Sequence, residues 1–321
     1  MALSIRKDTM KIFQEESTQN RSDAVFKLIT LTGAVILLLI IVALFVQLIK
    51  SSGLSLKTFG WSFLWSNVWD PIRQQFGAAS SIYGTLVSTA IAMMLAVPLS
   101  IFIAMFLVEL APPVFSRWIG TGIELLAAMP SIIYGMWGLF VFAPFMAKYI
   151  QPFLKNIFGN SVLFQGPPIG IGMLTAGIIL TFMILPFITA VTRDVFAMVP
   201  AVVKESAYGL GATTWEVTRK VTVRYGIRGI IGGAFLGLGR AIGETMAVTF
   251  VIGNSHRIVA SLFAPANSIT ATLANEFAEA SEPLYLSALI ELGLVLFVIT
   301  FLIQAGAHIW LQRVRKSVGV Q

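Results

Sequence analysis

The chain has 321 residues, of which 57% are hydrophobic and only 12% charged, with a formal net charge of +7 and no cysteine. A soluble domain carries about twice that charged fraction, so the composition excludes an ordinary soluble enzyme. Its long apolar runs, interrupted by proline and glycine, predict an all-α integral membrane protein rather than the alternating strands of a barrel. The absence of cysteine excludes disulfides and thiol chemistry, and the positive balance favours cytoplasmic anchoring over nucleic-acid binding.

The N-terminal segment 1–27 mixes acidic residues such as Glu15, Glu16 and Asp23 with basic ones. A signal peptide begins with a short basic stretch, so this segment is predicted to be a retained cytoplasmic tail. A transmembrane domain is expected over 28–310 and a cytoplasmic tail over 311–321. Six apolar stretches are long enough to span a bilayer: 28–49, 82–108, 119–147, 169–191, 229–252 and 284–310.

The distribution of basic residues predicts the orientation. With the N-terminus inside, the segments on the inner face hold fifteen lysines and arginines, against six on the outer face. This bias places both termini in the cytoplasm. Pro98, Pro130, Pro144 and Pro186 fall within predicted spans and indicate kinked helices inside a bundle, where neighbours re-satisfy the freed carbonyl groups.

Two segments on the predicted outer face have recognisable patterns. Trp61, Trp65 and Trp69 recur every four residues, which on a helix makes one aromatic stripe suited to the membrane interface. The stretch 267–276 is too polar to span and is expected to form a surface helix or a partly re-entrant one.

The longest predicted internal loop on the inner face covers 192–228. Pro200 suits the first turn of a helix, and Gly209 and Gly211 permit a sharp turn after it. Thr213 with Glu216 three residues later forms a capping box that begins a second short helix. Two short helices at an angle would make a compact knob on the inner face.

The loop sequence around Glu205, Ser206, Ala207 and Gly211 resembles the EAA loop of ABC importer permeases. In that family the loop docks in a cleft of the ATPase subunit. The resemblance therefore implies that a set of loop residues couples to an ATPase through the 200–224 segment: Lys204, Glu205, Ser206, Ala207, Gly211, Trp215 and Glu216.

A wider resemblance extends from the first span to the last. The stretches 237–250, 204–209, 123–131 and 273–280 are similar to those of permeases of phosphate-specific ABC importers. The resemblance implies a type I importer permease with a six-helix bundle. It also implies partners: a PstA-type permease, two copies of a PstB-type ATPase that bind ATP and magnesium, and a periplasmic PstS-type phosphate-binding protein. No cofactor is expected in this chain.

The predicted fifth span carries two charges near its middle. Gly233, Gly237, Arg240 and Glu244 step by four, three and four, so on a continuous helix they share one face. Arg240 would lie roughly 17 Å from the inner end of the span. A charge at this depth costs at least about 2.5–3.5 kcal/mol, so the pair needs a reason.

Two interpretations of the pair are compatible. Arg240 and Glu244 form a structural ion pair, or the guanidinium binds an oxyanion on its way through the membrane. The predicted pathway set is Arg240, Glu244, Glu291, Ser131 and Thr245. A carboxylate beside the arginine would accept the P–OH hydrogen bond of phosphate and repel sulfate, which carries no proton.

Other polar residues leave alternatives open. Glu124 pairs with a basic residue or reaches the interface, and Tyr134 and Ser131 either line the path or satisfy the kink at Pro130. His256 and His308 are isolated in sequence, and neither is expected to bind a metal.

The sequence contains no Gly-x-x-x-x-Gly-Lys-Ser/Thr motif and no nucleophile with a base, so it predicts a non-catalytic subunit. The preferred hypothesis is a permease subunit of an ATP-driven phosphate importer in the bacterial inner membrane. Its competitors are a permease for molybdate or sulfate, an ion-coupled secondary transporter or channel, and a membrane anchor.

Overall fold

The computed structural model describes residues 2–159 and 161–317, and the side chains of 23–159, 161–310 and 312. The C-terminal residues 318–321 of the predicted tail lie outside the described residues. Within the described ranges every regular element is helical.

The chain divides into two units, the first of which ends at Ser51. This unit is a single helix, α1 (Ala2–Ser51), so the predicted tail and first span are continuous helix. The second unit holds all the other helices: α2 (Gly53–Phe59), α3 (Ser62–Trp65), α4 (Ala79–Met105), α5 (Pro113–Ala128), α6 (Ser131–Trp137), α7 (Ala143–Phe145), α8 (Gln151–Phe158), α9 (Met173–Ala197), α10 (Ala201–Gly209), α11 (Thr214–Val217), α12 (Val223–Ile242), α13 (Met246–Val251), α14 (Ile269–Glu276) and α15 (Pro283–Ser317).

Wider π-turns extend several helices without breaking them. They follow α4 at Phe106–Leu110, α6 at Gly138–Phe142, α7 at Met146–Ile150 and α11 at Thr218–Thr222. The last of these joins α11 to α12, so the helix that begins after Thr213 is not the separate short helix that was predicted. It continues to Ile242.

Five helical stretches in the described residues are long and apolar enough to cross a bilayer: Asp23–Ser51, Ala79–Leu110, Ser131–Phe158, Met173–Ala197 and Pro283–Trp310. They confirm an all-helical membrane fold. Two predicted spans are not continuous helices. The 119–147 span is interrupted at Met129 and Pro130, and the 229–252 span is interrupted between Ile242 and Met246.

Helix α9 is the centre of the second unit. Two thirds of its most apolar stretch is buried, and residues such as Ile179, Leu180 and Ile184 have no exposed surface. The main core packs α9 against α4, α6 and α13. The breaks in the predicted third and fifth spans therefore border the same core.

Glycines on α12 make its contact with α9 close. A side chain at Gly229 would collide with Val195, one at Gly233 would press on Val191, and one at Gly237 would collide with Ile188. These three glycines, spaced every four residues, form a small-residue track whose packing partner is α9 of the same chain.

The first half of helix α14 is buried, whereas Ala274 and Asn275 in its second half are exposed. Ile269, Ala271 and Thr272 have no exposed surface, and Asn267 and Ser268 just before the helix are nearly as buried. The Thr85 hydroxyl accepts the Ile269 N–H at 3.0 Å. The first half of this segment is therefore covered by the rest of the unit, and the choice between a surface helix and a partly re-entrant one stays a prediction.

The predicted tryptophan stripe does not form. Helix α3 ends at Trp65, and Trp61 and Trp65 are more than 80% exposed. Trp69 instead turns inward and donates its indole N–H to Glu276. The spacing of four residues was therefore misleading, because the chain leaves the helix before Trp69.

Candidate functional site

The site is built around the break between α12 and α13. Helix α12 ends at Ile242, and Gly243, Glu244 and Thr245 form a short non-helical connection before α13 begins at Met246. Unwound backbone at membrane depth is tolerated where it is buried in protein or lines a polar cavity. Broken helices of this kind form substrate sites in many transporters.

Arg240 lies in the last turn of α12, with an exposed side chain in this subunit. Its guanidinium lies 6.0 Å from the centre of the Phe187 ring on α9, a cation–π distance. Among the described residues it makes no hydrogen bond and no ion pair. The guanidinium therefore keeps its donors available for an anion.

The predicted structural pair between Arg240 and Glu244 is absent from the described ion pairs. The reason is the helix break, because Glu244 lies beyond the end of α12 and no longer follows Arg240 by one helical turn. Its carboxylate accepts the N–H of Ala247 at 3.2 Å, at the start of α13. This bond uses one carboxylate oxygen and leaves the other without a partner in the described chain.

The break between α5 and α6 is satisfied by a tyrosine. Pro130 has no N–H, so the carbonyl of Leu126, four residues earlier, loses its helical donor. The Tyr134 hydroxyl donates to that carbonyl at 2.9 Å. Of the two alternatives for Tyr134, the kink-satisfying one is the one observed. Ser131, in the first turn of α6, is half-buried and makes no described hydrogen bond.

The two breaks lie next to each other. Helix α6 packs against α13 so closely that a side chain at Gly135 would collide with Phe250 and press on the backbone at Met246 and Ala247. Tyr134 also lies near Arg240. An apolar cavity of about 330 Å³ beside the α5–α6 break is lined by Leu126, Met129, Ile133, Tyr134, Trp137 and Phe182.

Helix α14 closes over the α12–α13 break. The Thr270 hydroxyl donates to the backbone carbonyl of Glu244 at 2.7 Å, a group left free by the end of α12. Thr245 begins α13, and its carbonyl accepts both the N–H and the hydroxyl of Thr249. Sequence reasoning missed Thr270; its place in a polar segment flanked by apolar spans was the available signal.

Glu291 is placed away from this site. It is 3% exposed on α15, where α15 packs against α2, and it lies beside Ser55. The backbone N–H of Ser55 bonds the hydroxyl of Ser287 at 3.0 Å, one turn before Glu291. No described contact joins Glu291 to Arg240 or Glu244, so its pathway role stays a prediction without geometric support.

Glu124 takes the paired alternative. Its carboxylate binds the Arg193 guanidinium at 2.7 Å and so joins α5 to α9. Arg193 passes over Gly120, where a larger side chain would collide with it. This pair secures the packing of α5 and makes no described contact with the α12–α13 break.

The loop helices are formed largely as predicted. Pro200 precedes α10, and Gly211 adopts a left-handed conformation with φ of 84° after it. The Thr213–Glu216 capping box is present. Hydrogen bonds from Thr213 and then Lys220 hold the pKa of the Glu216 carboxyl below its usual value. Gly211 and Glu216 therefore have local structural roles, independent of any partner.

The exposed side of the loop is partly apolar. Leu210 is 89% exposed, Val202 70% and Trp215 60%. Glu205 and Ser206 are also exposed, whereas Ala207 is partly covered. Lys204 is the exception among the predicted coupling residues, because its ammonium turns inward and binds Glu109 at 2.7 Å.

A polar cluster at the far end of α14 was also missed by sequence reasoning. Glu276 accepts hydrogen bonds from Trp69 and, at 2.8 Å, from Tyr285, and it lies 3.4 Å from His256. His256 stacks on Trp69 with their ring planes 6° apart. His256 is therefore not isolated. Burial raises the pKa of Glu276, but the bonds from His256, Tyr285 and Trp69 outweigh it and hold that pKa below its usual value.

Among the described residues no group of three or more histidines, cysteines or acidic residues is placed to hold a metal ion. The polar groups at the two breaks are the Arg240 guanidinium, the Glu244 carboxylate and the hydroxyls of Ser131 and Thr245.

Comparison with known proteins identifies the family. Residues 78–316 match the family described as "Binding-protein-dependent transport system inner membrane component". Over 302 residues the chain is 55% identical to the phosphate transport system permease protein PstC of Mesorhizobium japonicum, covering 93% of this chain and 92% of that one. It is 52% identical over 301 residues to PstC of Pasteurella multocida, covering 92% and 94%. The chain belongs to the PstC family of permease proteins.

Solved structures agree on the fold. This PstC-family chain resembles a bacterial ABC transporter that imports alginate, with a TM-score of 0.57 and 14% identity over 83% of this chain and 88% of the other. It also resembles the MetNI methionine ABC transporter, with a TM-score of 0.51 and 16% identity over 79% and 100%. The chain therefore has the fold of ABC importer permeases. It is a multi-pass inner-membrane protein and a non-catalytic transport subunit.

Proposed function

We propose that this chain is the permease subunit that forms half of the pathway for inorganic phosphate in an ATP-driven importer. The observation that carries the proposal is Arg240, an exposed guanidinium beside a helix break, without an ion-pair partner in the described chain. Its exposure in the single subunit is what half of a shared pathway requires, because the second permease would supply the opposite wall. PstC relatives carry the phosphate transport name at up to 55% identity.

Arg240 binds the phosphate oxygens in this proposal. A guanidinium stays charged at any physiological pH and offers paired N–H donors that match two oxygens of one phosphate. Tyr134 stands near Arg240 with its hydroxyl committed to Leu126, so it fixes the shape of the site. Ser131 and Thr245 begin α6 and α13 and supply hydroxyls at the two breaks.

Glu244 supplies selectivity. Phosphate at neutral pH keeps at least one proton, which the free oxygen of the Glu244 carboxylate accepts, whereas sulfate has none to give. The unpaired carboxylate repels the fully ionised anion. Its other oxygen is fixed by the Ala247 N–H, which orients the group.

The loop around α10 and α11 docks the ATPase. Its exposed apolar side chains, Val202, Leu210 and Trp215, have the character of an interface core, and Glu205 lies among them on α10. The partners are a PstA-type permease, a PstB-type ATPase dimer that holds ATP and magnesium, and a periplasmic PstS-type binding protein. The loop and both termini then face the cytoplasm.

The test is uptake by the purified complex in liposomes, with phosphate, sulfate and molybdate compared with and without ATP. Uptake of phosphate alone, strictly dependent on ATP, is expected. Flux without ATP would instead indicate a secondary transporter, and equal uptake of another oxyanion would indicate a different cargo. In the same assay Glu244→Gln is expected to admit sulfate; unchanged phosphate uptake and unchanged sulfate exclusion would remove its selectivity role.

A further inference from the structure

Glu109 lies at the end of α4, in the π-turn Phe106–Leu110, and its side chain is only 7% exposed. One carboxylate oxygen accepts two hydrogen bonds. Lys204 of α10 donates at 2.7 Å, and the hydroxyl of Thr222 donates at 2.8 Å. Neither the sequence pattern nor the anion site accounts for this carboxylate.

The three residues belong to three different parts of the molecule. Lys204 lies on the loop helix α10, and Thr222 ends the π-turn that leads directly into α12. The single carboxylate oxygen therefore joins the loop to the ends of two membrane helices. Helix α12 is continuous from this point to Arg240 in its last turn.

The contact is largely buried. Lys204 is only 18% exposed in its side chain, so the ion pair is largely withdrawn from water and screened little by salt. A small core of Ala104, Phe196 and Ile230, with Val108 and Val223 packed against it, ties α4, α9 and α12 together at the same end. Removing one partner of such a pair leaves the other charge unpaired and strongly destabilises the contact.

We propose that Glu109 is the joint through which movement of α10 is transmitted to α4 and α12, and so to the site at Arg240. The proposal rests on the proposed function, since it assumes that an ATPase moves the loop. Glu109 is a positioning residue: it touches neither phosphate nor ATP. Its loss separates ATP hydrolysis from transport while both sites remain chemically intact.

The experiment measures ATP hydrolysis and phosphate uptake on the same preparation of the intact complex in liposomes. Glu109→Gln keeps the side-chain shape and an acceptor for Thr222 but removes the negative charge. Lys204→Met removes the positive charge of the same ion pair. For each, phosphate taken up per ATP hydrolysed is expected to fall about tenfold, while hydrolysis stays within about twofold of wild type. The exchanged pair, Glu109→Lys with Lys204→Glu, is expected to restore most of the ratio.

Glu124→Gln is the matched control, because it breaks an ion pair of the same 2.7 Å length between α5 and α9 that does not reach the loop. Its uptake per ATP is expected to equal that of wild type. Thr222→Val leaves the ion pair in place and is expected to give an intermediate value of phosphate taken up per ATP hydrolysed. This variant keeps the proposal testable if the charge variants misfold.

An unchanged ratio in both Glu109→Gln and Lys204→Met would overturn the proposal. A second pattern would also overturn it: the charge variants lose assembly, hydrolysis and uptake together, the exchanged pair restores none of them, and Thr222→Val keeps the wild-type ratio. That pattern is expected of a purely structural contact. Failure of the proposed function is a separate result: the wild-type complex itself would show no ATP-dependent phosphate uptake.

Discussion

Arg240 is a charge at membrane depth whose own helix compensates it only in part. Its position in the last turn of α12, at the negative end of the helix dipole, contributes about 0.3–1 kcal/mol, and the Phe187 contact adds about as much. Insertion of an arginine at this depth costs at least about 2.5–3.5 kcal/mol. The remaining cost of insertion must be offset by water, by the partner permease or by a bound anion. This agrees with an arginine that is retained because it binds an anion.

Glu276 shows the opposite arrangement, a carboxylate whose partners are all in place. Replacing it with alanine leaves the Trp69 N–H and the Tyr285 O–H without their acceptor. Each hydrogen bond to a charged group contributes about 1.5–3 kcal/mol, so the loss of two such bonds in Glu276→Ala is expected to lower stability by about 3–6 kcal/mol in total. Thermal unfolding of the detergent-purified complex checks this, with Glu279→Ala on an exposed neighbour as the control.

The stability conferred by the Glu276 charge depends on pH in a defined direction. Because the folded pKa is held below the usual 4.5, the charge stabilises the fold above that pH and the effect is lost as pH falls through the folded pKa. The stability gap between wild type and Glu276→Gln is therefore expected to stay open at neutral pH and to close below pH 4.5. His256, Tyr285 and Glu279 are the titratable groups near this cluster. A gap that stays open well below pH 4.5 would contradict the assignment.

At the scale of elements, the two helix breaks were only partly predictable. Pro130 predicted an interruption of the helix, and the break occurs at that residue. Nothing comparable marks 243–245, since Gly243 alone is common within membrane helices and the flanking residues are apolar. The pattern that placed Arg240 and Glu244 on one face was correct for a continuous helix, and it failed because tertiary contacts from α14 and α6 favour the break.

Some features of the helices and turns could be predicted from the sequence because they depend on interactions between residues close together in the chain. The capping box at Thr213, the turn at Gly211 and the glycine track on α12 all follow from short spacings. The partners of Glu109, Glu124 and Glu276 could not be predicted from the sequence. Each of these carboxylates binds at least one residue that is 69 or more positions away along the chain. Sequence alone marks such carboxylates as unusual without naming their partners.

Close packing of α4 against the start of α14 predicts a sensitive glycine. A methyl group at Gly84 would lie 1.9 Å from the carbonyl oxygen of Asn267, a backbone atom that cannot move aside cheaply. Gly84→Ala is expected to displace α14 from the α12–α13 break and to cost about 1–3 kcal/mol or more. Gly122→Ala on α5, where no atom lies within 4 Å, is the matched control and is expected to be neutral or stabilising. Equal thermal stability and equal uptake of the two variants would contradict this account of α14.

At the scale of the whole molecule, the second unit contains a chain of contacts from loop to site. The loop helix α10 is fixed to Glu109, α12 rises from the same point, and its last turn presents Arg240 next to a break covered by α14. The family and the fold are those of ABC importer permeases. Under the proposed function, this layout gives the permease a continuous element between the loop proposed to dock the ATPase and the proposed anion site.

The most direct measurement is ATP-driven phosphate uptake by the intact complex carrying Arg240→Gln, with Arg240→Lys beside it and Arg193→Gln as a control for the loss of another arginine. The account predicts that Arg240→Gln assembles with its partners yet loses nearly all uptake, and that Arg240→Lys keeps only part, since an ammonium lacks the paired donors of a guanidinium. Phosphate uptake by Arg240→Gln at the wild-type rate would contradict the claim that this guanidinium meets the anion.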